Sequence, residues 1–120
     1  MPVFSLDIPA KRRKELAQRW GVSSQSIWLW YHDKPVVGKR RLLDLALKGM
    51  TVAPDRTPIT DLRAECESRG MYLQDLYDIM SAGTQTKVKC ADPRRVSLIH
   101  DVLRGIDLTG VETVLAEVRG

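Results

Sequence analysis

The sequence predicts an all-α fold. Three observations carry that reading. Apolar residues recur at helical spacing in most of the chain, as in Val111, Val114, Leu115 and Val118. Prolines fall where helices begin or break: Pro93 suits a first turn behind Asp92 as its cap, and two prolines interrupt TVAPDRTP at residues 51–58. Only PVFSLDI, at residues 2–8, alternates loosely like a strand. The expected organisation is an N-terminal module at 1–50, a linker at 51–58 and a C-terminal helical module at 59–120, with at most one short N-terminal strand.

Composition bounds the function. The chain has 120 residues, enough for one domain or two small ones, and 43% of them are hydrophobic, enough for a packed core. No apolar run approaches the roughly 20 residues of a membrane span. MPVFSLDIPAKRRK carries its charges after its apolar residues, the reverse of a secretory signal, so a cytoplasmic location is expected. Cys66 and Cys90 lie outside any C-x-x-C spacing and only His32 and His100 could join them, so no metal site is expected and both thiols read as free and structural. There is no Gly-rich phosphate loop and no nucleophile–base–acid set. An enzyme is not expected, nor a cofactor.

The charge is uneven. The net value of +4 divides into 11 Lys/Arg against 5 Asp/Glu over residues 1–56, and 8 against 10 over residues 57–120. The first half suits a polyanion; the second suits contact with protein.

Taken in order, helices are expected over 10–20, 24–31 and 38–49, then over 59–69, 72–82, 93–105 and 109–118. The first two frame a turn. Ala17 is small where two steeply crossing helices must touch. Gly21 tolerates the positive φ of a sharp turn. Ser23 can cap the second helix, and Val22 with Ile27 forms a hydrophobic staple around that cap. Leu16, Val22, Ile27 and Trp30 then face the core. In the third helix Leu42, Leu43, Leu45, Ala46 and Leu47 give a wide apolar face.

With Leu16, Ala17, Gly21, Val22, Ile27 and Trp30 at these positions, L-A-Q-R-W-G-V-S-S-Q-S-I-W-L-W resembles the Cro/C1-type (XRE-like) helix-turn-helix family of bacterial and phage regulators. KPVVGKRRLLDLALKGM is similar to that family's next helix, entered through a proline-containing loop. The resemblance covers about residues 10–50. The chain departs from the family in two respects. The helix that usually precedes the motif has only MPVFSLDIPA to form it, and Tyr31 stands where the family often has Glu. One side of the small core is therefore left for the second half, or a partner chain, to cover.

The resemblance implies that the second motif helix enters the major groove of double-stranded DNA. On this sequence the base-contacting positions are Ser24, Gln25, Trp28 and Leu29. Gln25 can pair bidentately with adenine, and the two apolar residues can meet thymine methyls. Phosphate contacts are expected from Arg13, Lys14 and Ser23, from His32 and Lys34, and from Lys39, Arg40 and Arg41. Lys and Arg at helix starts oppose the helix dipole, a cost that a bound phosphate would offset. Arg40→Ala is expected to weaken all sequences alike and flatten the salt dependence.

For the second half, the family suggests dimerisation. A homodimer would match an operator of two half-sites. A weak internal echo offers another reading: LLDLALKGM at 42–50 resembles SLIHDVLRGI at 97–106, with Leu42, Leu47, Lys48 and Gly49 matching Leu98, Leu103, Arg104 and Gly105. Residues 59–120 would then hold a degenerate second helix-turn-helix, its reading helix near 84–89 with Lys87 and Lys89 as phosphate contacts. Otherwise they are generic amphipathic helices ending in Gly. The implied function is a sequence-specific transcriptional regulator, a dimeric repressor of phage or mobile-element type that occludes a promoter. The alternative is a protein-interaction module, antitoxin-like or adaptor, gripping a protein partner with the same helices.

Overall fold

Leu16 and Trp20 lie one turn apart on α1 (Ala10–Trp20), and both are buried. The chain then reverses at Gly21, whose φ of +66° is the left-handed conformation expected of the turn. The Val22 N–H closes back on the Ala17 carbonyl at 3.1 Å. Ser23 caps α2 (Ser24–Tyr31), its hydroxyl oxygen accepting from the Ser26 N–H at 3.1 Å. Ile27 is fully buried and Val22 packs against the same core, as the staple requires. These coordinates are a computed structural model that describes residues 10–32, 39–51, 53–79 and 93–119.

The remaining helices are α3 (Lys39–Gly49), α4 (Leu62–Glu67), α5 (Leu73–Ile79), α6 (Pro93–Thr109) and α7 (Val111–Arg119). The fold is all-α, with no strand among the described residues. The strand expected at 2–8 and the cap expected at Asp92 lie outside them. α4 is shorter than the helix expected over 59–69, because Asp61 caps it by accepting from the Ala64 N–H and a turn follows at 68–70. α6 runs past Gly105, which was read as a helix stop, and ends only before Gly110 at φ +103°.

α6 is the spine of the fold. It lies along α3 and also packs on α1 and α7. One hydrophobic cluster takes Leu16, Trp20 and Ile27 from the N-terminal helices and Leu42, Leu43 and Ala46 from α3. The same cluster takes Cys66, Leu76, Ile99, Val102, Ile106 and Val114 from the second half. α6 therefore covers one side of the small N-terminal core. Burial of such side chains contributes about 1.5–3 kcal/mol each, so the N-terminal helices depend on the second half for much of their stability.

A buried polar joint fixes that contact. Asp101 of α6 is only 2% exposed. Its carboxylate accepts from Arg19 Nε and Nη2 at 2.8 and 3.0 Å and from Trp20 Nε1 at 2.7 Å. Three donors on one carboxylate compensate its removal from water. The Ser97 hydroxyl donates to the Arg19 carbonyl beside it. Residues 53–58 form no helix and run close to α6, where His100 Nε2 meets the Thr57 carbonyl at 2.8 Å and stands 3.6 Å from Asp55. The Thr57 backbone N–H holds the Asp55 carboxyl below its usual range.

Cys66 is unpaired and buried, and desolvation pushes its thiol up to about 11. Cys90 lies outside the described residues. No helix among those residues is long and apolar enough to cross a membrane, and no cluster of metal-ligating side chains occurs among them.

Candidate nucleic-acid interface

α2 presents two faces. Ile27 anchors the inner one, with Trp30 half-buried beside it. Ser24, Gln25, Trp28 and Leu29 form the outer one at helical spacing, and all four are exposed. Trp28 is 45% and Leu29 52% exposed, large values for residues of their size and polarity. The Trp28 indole lies against the His32 ring at 4.3 Å between centroids, and Tyr31 meets His32 edge-on at 5.0 Å. These contacts leave the outer edge of the indole in solvent.

α1 supplies a cation to this face. Arg13, Ser24, Gln25 and Trp28 together line a surface cleft of about 310 Å³. A guanidinium, a hydroxyl, a carboxamide and an aromatic edge thus converge on one opening. Such a set can hold a phosphate at one end and a base edge at the other. Lys11, Arg12 and Lys14 extend the positive surface along α1, all three exposed. No acidic residue offsets them in the first turn.

The other expected phosphate contacts divide. His32 is exposed at the end of α2, within reach of a ligand on the outer face. Ser23 is exposed, but its oxygen already caps α2 and shares a 2.9 Å hydrogen bond with the Ser26 hydroxyl. Lys34 and the side chain of Lys39 lie outside what the structure describes. Arg40 is engaged within the protein. Its Nη1 donates to the Tyr31 carbonyl at 3.0 Å and its Nε to Asp44 at 3.1 Å, while its guanidinium lies 4.6 Å from the Tyr31 ring centroid. It ties the start of α3 to the end of α2.

Arg41 requires a correction. It is 6% exposed and paired with Glu117 of α7 at 2.6 Å, so it joins α3 to α7 and is not presented to solvent as a phosphate contact would be. One residue along a helix rotates a side chain by about 100°, which separates Arg40 from Arg41 although the two are adjacent. Trp30 faces the core as expected. Trp20 occupies its centre, fully buried, and Trp30 packs at the margin. Sequence reasoning passed over Trp20, Arg19 and Asp101 as a unit. The signals were present: Trp20 follows Leu16 by four residues, and Asp101 interrupts the apolar run of α6. An acid on an apolar helix face calls for a buried donor.

The possible second reading helix near 84–89, with Lys87 and Lys89, lies outside the described residues. No protein-family model, curated protein or solved structure matches the chain.

Proposed function

We propose that the protein is a sequence-specific DNA-binding regulator that reads the major groove of double-stranded DNA with α2. The observation that carries this reading is the outer face of α2. Four side chains suited to base edges stand exposed on a short helix, capped by Ser23 and anchored by Ile27, with Arg13 beside three of them. Gln25 and Ser24 supply the polar contacts, Trp28 and Leu29 the methyl contacts, and Arg13, Lys14 and His32 the phosphate contacts. A small cytoplasmic protein of this kind represses by occupying a promoter.

Selection of bound duplexes from a random pool tests the proposal. A defined motif, retained at about 200 mM salt against excess competitor DNA, is the expected result. Equal loss of all sequences with salt means phosphate attraction alone and rejects sequence reading. One observation favours a second reading, a module that grips protein: Trp28 and Leu29 form an apolar pair on an otherwise polar outer face. A stoichiometric protein partner that co-purifies through α2, with no duplex bound by the pair, is the result that would establish it.

A further inference from the structure

α3 and α6 cross at two glycines. A Cβ placed on Gly49 would sit 2.0 Å from the Asp101 carbonyl oxygen and 2.4 Å from the Gly105 nitrogen. A Cβ placed on Gly105 would sit 2.0 Å from the Leu45 carbonyl oxygen. Only glycine permits backbones to approach so closely. The contacts are also reciprocal. Gly49 meets residue 101 and Gly105 meets residue 45, while the two glycines meet each other. Aligning LLDLALKG with LIHDVLRG places Gly49 on Gly105 and Leu45 on Asp101. Each contact therefore becomes the other when the two helices are exchanged, which is the rule of an isologous, two-fold interface.

Burial keeps the same register. Leu42, Leu43 and Ala46 are buried, as are their counterparts Leu98, Ile99 and Val102. Lys48 and Arg104 are both exposed. The equivalent positions 41 and 97 each tie their helix to a neighbour, though the neighbours differ. α1 is held on α6 at Ser97, and α7 is held on α3 at Arg41.

From this geometry we infer that the protein is a pseudo-dimer within one chain. α3 pairs with α6 about a local two-fold axis, as a dimerisation helix pairs with its copy. The surface that would recruit a second copy through α3 is already filled. A dimer built through α3 is therefore closed to it; the expected state is a monomer and, resting on the reading of α2 as a DNA reader, one chain per site. The homodimer expected from the sequence is the opposing outcome.

Native mass spectrometry and sedimentation equilibrium of the full chain, alone and with a selected duplex, test the inference. The expected species are a single chain of 13.6 kDa and a complex of one chain per duplex. A stable free dimer, or two chains on one duplex, overturns it. If no duplex binds, the free mass still decides between monomer and dimer, and only the DNA reading is lost. A thermal double-mutant cycle with Gly49→Ala and Gly105→Ala gives a separate test of the symmetry. Each substitution is expected to lower the midpoint by a similar amount, about 5–15 °C, because each forces the same crossing apart. The double variant should fall short of the sum, since the helices need separate only once. A loss confined to one glycine contradicts the two-fold. Should a variant fail to fold, the mass of the unmodified chain remains the deciding measurement.

Discussion

In the proposed function, Gln25 is the residue on which base reading would turn. It is exposed beside Arg13, and a carboxamide can pair with both Hoogsteen-edge groups of adenine. Gln25→Ala should relax the preference at one position of the bound sequence and cost roughly 1–3 kcal/mol there, leaving folding unchanged. Comparison of selected motifs for the two proteins checks this; an unchanged motif means that another side chain does the reading. Trp28 and Leu29 answer a different question, since neither is covered by another helix among the described residues. At the opposite extreme is Cys66. Its pKa, raised to about 11 by burial, makes the thiol inert at neutral pH. A raised thiol pKa favours the protonated, folded form. Its contribution is therefore complete below about pH 9.0, the ordinary thiol value, and is lost as pH rises through about 11. At pH 8, iodoacetamide labelling of Cys66, followed by mass spectrometry of its peptide, should track global unfolding. Labelling at the rate of a free thiol would show that the site opens locally.

Helix α2 has only eight residues, too few to persist alone. It is held at its start by Ser23, in its middle by Ile27 and at its end by Arg40. The Arg40 contacts give this residue a structural role that the sequence did not suggest. Its guanidinium is spent on the Tyr31 carbonyl, the Tyr31 ring and Asp44. Arg40→Ala should therefore weaken binding of every sequence alike by loosening α2, while the slope of log K against log salt stays unchanged. Lys14→Ala, on exposed α1, should instead lower that slope by about one unit. A fall of similar size for Arg40→Ala would return Arg40 to the phosphates. This division marks what the sequence made legible. The turn, the cap and the outer face of α2 depend on neighbours within a few residues, so their spacing is written locally. α1 and α2 accordingly keep the bounds read from periodicity. The fates of Arg40 and Arg41 depend on Tyr31 and on Glu117, the second of which is remote in the chain. Gly105 misled for the same reason: a glycine that ends a helix and one that admits another backbone are identical in sequence.

At the scale of the molecule, the question is whether the basic half and the acidic half behave as separate bodies. The charge sign changes across residues 51–58, yet the hydrophobic cluster does not stop there. Trp20 is fully buried, and its indole N–H ends on Asp101 of α6. Removing α6 would expose Leu42, Leu43 and Ala46 and leave Trp20 without its acceptor. Neither half then has a core of its own large enough for independent stability. The three tryptophans, Trp20, Trp28 and Trp30, all lie in the first half, so their fluorescence reports that half and the contact of Trp20 with α6. Far-UV circular dichroism reports helices in both. In urea the two signals should therefore change with one midpoint and one slope. Asp101→Asn, which breaks the fork with Arg19, should move both midpoints together by about 2–4 kcal/mol of stability. Fluorescence that shifts while dichroism keeps a separate later transition would show two independently folding units, and the dependence of α2 on α6 would fail with it.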